Sequence, residues 1–95
     1  MSQARHEVTS DDDRVRVTVW TFDAPGQAIG HHRHEFDYVV VPVTGGRFTV
    51  IDPDGSERTM EQVAGEPYLG TAGTEHDVVS AADGEAVFVE VELKR

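Results

Sequence analysis

The chain has 95 residues, no cysteine, and 18 acidic against 8 Lys and Arg side chains, for a formal net charge of −10. That length holds one compact domain and excludes a second, and the absence of thiols excludes disulfides, thiolate catalysis and Cys-ligated zinc, leaving any metal to His, carboxylate or Tyr oxygen. The acidic balance opposes phosphate backbones, so nucleic acid is not an expected partner; no stretch nears the ~20 apolar residues of a membrane span or the core of a signal peptide, so no membrane partner and a cytoplasmic location are expected.

Residues 1–14 are polar, charged and aperiodic, which predicts a frayed or extended arm; the domain proper is expected over 15–95. Val15, Val17 and Val19 alternate with Arg16, Thr18 and Trp20 up to the stop Asp23-Ala24-Pro25-Gly26, predicting a strand and a turn. Similar short runs follow at about 28–34, 36–42, 47–52, 56–61, 66–69, 76–81 and 86–93. Gly45-Gly46, Pro53-Asp54-Gly55, Gly65, Ala72-Gly73 and Asp83-Gly84 fall between them as turn signals. No window carries helical periodicity over three turns, and β-branched residues dominate the apolar set. The expectation is an all-β domain of about eight main strands, arranged as a sandwich or jelly-roll barrel.

Four histidines fall in strand-like segments: His31, His32 and His34 in one and His76 at the start of another. Strand alternation puts His32, His34, Phe36 and Tyr38 on one face and the charged set His31, Arg33, Glu35 and Asp37 on the other. If the first set faces inward, His32 and His34 supply half of a metal site from one wall, and His76 is the remaining strand histidine able to complete it. The competing reading is three ordinary, satisfied histidines. His31, of opposite parity, is expected outside the ligand set, as an outward or interface residue.

Gly26, His32, His34 and Gly45, followed by Gly65, Gly73 and His76, stand at the spacings of the two cupin motifs. The sequence therefore resembles a small single-domain cupin, and its phrasing is similar to a stand-alone subgroup that includes proteins named for β-alanine degradation. The resemblance implies a double-stranded β-helix with one divalent transition metal ion (Fe, Zn, Ni or Mn) on His32, His34 and His76. Three departures stand out: Tyr38 where cupins usually carry a glutamate ligand, Thr71 in place of a proline and Ser80 in place of an asparagine. Three neutral imidazoles without a carboxylate make the site more positive and weaken its hold on hard, oxygen-preferring ions. Tyr38 is open to three roles: phenolate ligand, catalytic base or donor, and plain barrel-wall aromatic. Asp37 would reach the metal only if a bulge reversed its face.

The function this implies is a metal-dependent enzyme of oxygenase, lyase or isomerase type, acting on a small carboxylate-bearing metabolite with Tyr38 assisting proton transfer. The alternative is a non-catalytic module that binds or senses a small molecule through a metal anchor. Arg33 and Arg47 are weighed as contacts for an anionic substrate, although parity turns Arg33 outward. A homodimer is expected, because small jelly rolls leave apolar strands exposed and edge strands invite pairing.

Overall fold

The structure is a computed structural model and describes residues 2–95. Nine strands and no helix occur among the described residues: β1 (Arg5–Asp11), β2 (Val15–Phe22), β3 (His32–Arg33), β4 (Asp37–Pro42), β5 (Gly46–Ile51), β6 (Glu57–Gln62), β7 (Tyr68–Gly70), β8 (Glu75–Ser80) and β9 (Ala86–Leu93). They form two facing sheets, a five-stranded one in the order β1-β2-β9-β4-β7 and a four-stranded one in the order β3-β8-β5-β6, with antiparallel neighbours throughout. This is the expected all-β jelly roll.

Each sheet turns one set of alternate side chains inward. From β2, β4, β5, β8 and β9 these include Phe22, Val40, Phe48, Val78 and Phe88, all buried. Phe22, Phe48 and Phe88 meet in edge and tilted contacts with centroids 5.2–5.8 Å apart, the geometry that aromatic quadrupoles favour.

Two segments differ from the sequence expectation. The polar arm is not frayed over its length, because residues 5–11 form β1 and pair with β2 along the sheet edge. Backbone ladder bonds do not require apolar side chains, and all seven β1 residues are exposed; Ala4 is buried at the start of the strand, and Arg5 pairs with Asp23 at 2.7 Å. The expected strand over 28–34 contracts to two residues, with Ala28 making only isolated bridges to Gln3 and Val79. Gly30 lies between them at φ +98°, a left-handed conformation that interrupts extended backbone.

Candidate metal centre

β3 and β8 run antiparallel with His32 directly opposite His76, so the strand register itself puts two imidazoles side by side. His34 lies just past the end of β3. Its N–H donates to the Thr74 carbonyl at 2.8 Å and its own carbonyl accepts from the Gly73 N–H at 2.8 Å, which ties it to the turn preceding β8. The three rings converge, with Nε2 of His34 3.1 Å from Nε2 of His32 and 3.3 Å from Nε2 of His76. Imidazole nitrogens bonded to one ion at ~2.0–2.1 Å and roughly right to tetrahedral angles stand about 2.9–3.4 Å apart. The two His34 separations fit that spacing, all three donor atoms lie within 4.8 Å of one another, and this is the one group among the described residues with three His or acidic donors so placed.

Hydrogen bonding alone accounts poorly for the cluster. His32 Nδ1 lies 2.8 Å from the Gly30 carbonyl, which can only accept, so a neutral His32 ring carries its proton there and presents a lone pair at Nε2. His34 Nε2 bears either one proton or one lone pair, and in neutral rings it forms a well-made bond with one neighbour only. His76 Nδ1 is buried without a partner among the described residues. A cation shared by three Nε2 lone pairs satisfies the three converging Nε2 positions at once, so the donor set fits a metal ion.

Electrostatics keep two of the candidate ligands ready. Burial, reinforced by the neighbouring histidines, lowers the pKa of His34 to about 4; burial and His32 do the same for His76, also to about 4. Both are therefore neutral at physiological pH, the form that binds metal.

The rings open onto a cavity of about 370 Å³ whose apolar wall includes Val40, Val50, Val78 and Phe88. Tyr38 also faces it, only 5% exposed, with its ring stacked on His34 at 3.8 Å and 16°. Burial, with Glu90 nearby, pushes its phenol up to about 12 and keeps it protonated. Gly70, the cross-strand partner of Tyr38, accommodates that ring because it lacks a β-carbon; one built there would overlap the ring.

Parity placed the other candidates correctly. His31 is exposed beside Glu75 at 3.0 Å, and Asp37 is exposed and accepts from the Ala72 N–H at 2.8 Å, so no bulge turns it inward. Arg47 is spent on an exposed pair with Glu61 at 2.9 Å, and Arg33 is exposed as well.

Sequence reasoning missed Arg58 and Glu90, which both line the cavity. Glu90 is 9% exposed and has no ion-pair partner among the described residues; burial, with Glu92 close by, pushes its pKa up to about 7. Glu92, two residues on along the same face, is instead neutralised by a bidentate pair with Arg16 at 2.6 and 2.8 Å. The available signal was the alternation Phe88, Glu90, Glu92 on β9, which places two acids on the side of the strand that carries a core phenylalanine.

No family model matches the chain. It is 48% identical over 92 residues to the β-alanine degradation protein BauB of Pseudomonas aeruginosa, covering 97% of this chain and 95% of that protein. A cupin domain from Bordetella pertussis superposes with a TM-score of 0.92 at 42% identity, covering 99% and 96% of the two chains. The polyketide cyclase RemF of Streptomyces resistomycificus shares the fold at a TM-score of 0.72 and 23% identity, over 99% of this chain and 69% of its own.

Proposed function

The chain belongs to the family of small cupins that includes the β-alanine degradation protein BauB, and from that premise we propose that it is a metal-dependent enzyme acting on a small carboxylate-bearing metabolite. The observation that carries this reading is the convergence of His32, His34 and His76 on one point at the wall of a cavity that also holds proton-bearing groups. The three histidines hold one divalent transition metal ion, of which iron, zinc, nickel and manganese are the candidates. When bound, the ion supplies Lewis-acid or redox chemistry, depending on its identity.

The chain's own residues account for the rest. Arg58, at the cavity wall and exposed, pairs with Asp52 at 3.3 Å, and offers a cation to a substrate carboxylate that displaces that pair. Tyr38 serves as proton donor, its phenol kept neutral by burial. Glu90, on β9, titrates near neutrality and can take or release a proton at the cavity wall. The apolar wall limits water. A cavity of about 370 Å³ suits a small ligand, and the name of the relative points to acids of the kind formed when β-alanine is broken down.

The second reading is a metal-anchored binding or sensing module. It is favoured by the scarcity of loop sequence from which a lid could be built, since the turns between most strands are only a few residues long.

Elemental analysis of protein purified without a chelating tag should find about one transition metal ion per chain, and His34→Ala should lose it. Iron- and zinc-loaded protein should then be incubated with a panel of small carboxylates while turnover and O₂ uptake are followed. Turnover supports the enzyme, and binding without turnover across the panel supports the module. Retention of metal by His34→Ala would remove the basis of both.

A further inference from the structure

Strand β9 turns a carboxylate into the barrel beside an aromatic ring: Phe88 is 3% and Glu90 9% exposed, both on its inward face. Register sets Glu90 in one row with Val40 of β4 and Tyr68 of β7, so the three side chains share that face. Phe88 and Tyr68 line the same cavity as Glu90. The Tyr68 hydroxyl is already occupied, accepting from Gln62 Nε2 at 3.0 Å and donating to Met60 Sδ at 3.4 Å, which leaves its ring as cavity wall. No cation of the described chain answers the Glu90 carboxylate. Arg16 is committed to Glu92, and Arg58, the one guanidinium or ammonium among the described residues that line the cavity, stands on β6 of the facing sheet beside Asp52. Nor does Glu90 belong to the histidine group, whose donor atoms close on one another without it. A carboxylate buried without a counter-ion is costly, and an acid set among aromatic faces is the chemistry that receives an ammonium ion.

We infer that Glu90, with the rings of Tyr68 and Phe88, is the receptor for an ammonium group, and that the substrate is a short unbranched ω-amino acid. Its ammonium sits on Glu90 and its carboxylate points toward Arg58 and the histidines. The inference rests on the carboxylate-bearing substrate proposed above and adds the second charge that such a molecule carries. Glu90 and Arg58 belong to facing sheets and border one cavity, so a ligand with opposite charges at its two ends meets both. The long-range field agrees, because a protein of net charge −10 repels a simple anion, and an ammonium at the other end of the molecule offsets that repulsion. A cavity of about 370 Å³ keeps the ligand small.

The test is calorimetric titration of the full chain, zinc-loaded and metal-free, at about pH 8, where Glu90 is ionised and the amines keep their protons. The unbranched ω-amino acids from glycine to aminohexanoate are compared with the unbranched acids of equal length. At least one amino acid should bind about tenfold or more tightly than its plain counterpart, and Glu90→Gln should abolish that advantage while leaving the plain acids within about twofold. Glu90→Asp withdraws the carboxylate by one methylene, so it should keep the preference and move it to a longer amino acid; this variant decides the matter should Glu90→Gln fail to fold. Four results overturn the assignment: no binding of any amino acid at about 50 mM, equal binding of the two series by the parent, a preference that survives Glu90→Gln, or a preferred length that Glu90→Asp leaves unmoved. Failure of the metal-dependent reading shows separately, as a protein that takes up no zinc, whereas the ratio between the two series in metal-free protein reports on Glu90 alone.

Discussion

The phenol ring of Tyr38 lies nearly parallel to the imidazole of His34, with centroids 3.8 Å apart, so the residue at the position of the usual cupin glutamate supports a candidate ligand with its face. This separates the ring of Tyr38 from its hydroxyl. Tyr38→Phe keeps the stack and should retain metal affinity within about twofold at a stability cost near ~1 kcal/mol, while turnover on an identified substrate falls sharply. Tyr38→Ala removes the support as well, and should cost about 3–5 kcal/mol and weaken metal binding. Isothermal titration with Zn²⁺ and urea unfolding of both variants check this; equal metal affinity in the two would show that the stack does not matter.

Gly70 should tolerate no side chain while Tyr38 stays in place, because the β-carbon would enter the ring. Gly70→Ala is expected to destabilise the protein by on the order of 2–3 kcal/mol, as overpacking does. In a Tyr38→Ala background the same change should cost far less, and a double-mutant cycle by urea denaturation measures the coupling. Additive effects would contradict the contact.

The pH dependence of metal binding should be shallower than three histidines suggest. An ordinary imidazole is about a quarter neutral near pH 6, so two such ligands together would lower affinity about 17-fold there. His34 and His76, lowered to about 4, escape that loss. Cobalt affinity, followed by its visible spectrum at about pH 7.5 and about pH 6, should fall by well under the product expected for three ordinary imidazoles. A fall matching that product contradicts the environment described for these rings.

Glu90 should make the metal-free protein less stable as pH rises. Its folded pKa, raised to about 7, lies above its unfolded value, so the folded state binds the proton more tightly. The resulting penalty is absent below the unfolded pKa, grows as pH climbs to about 7, and is complete above that, at up to about 3 kcal/mol. Glu90→Gln carries no such titration. It should match the parent near about pH 4.5 and exceed it in urea midpoint at about pH 8; parallel curves across that range would contradict the raised pKa.

Much of this fold was legible in single strands. Alternation located β2, β4, β5, β8 and β9, and the same parity separated His32 and His34 from His31 and Arg33. Strand β1 was not legible, because its Arg-His-Glu-Val-Thr-Ser-Asp run buries nothing and pairs through backbone alone. Glu90 and Arg58 escaped for a related reason. A charged residue at an inward position reads as surface until the neighbouring strands fix which side is in, and that information sits in the pairing of β9 with β2 and β4 and of β5 with β6.

The direct pairing of His32 with His76 confines two of the three ring ligands to β3 and β8, and His34 hangs from the same edge, whereas Tyr38 and Glu90 stand on the opposite sheet. On the proposed reading, ion capture and proton handling are thus divided between two walls that do not share a strand. On that reading, substitutions on β9, which carries none of the three histidines, change the proton-bearing wall and leave the cluster in place, which gives such a small barrel a route to new chemistries from one unchanged coordinating edge.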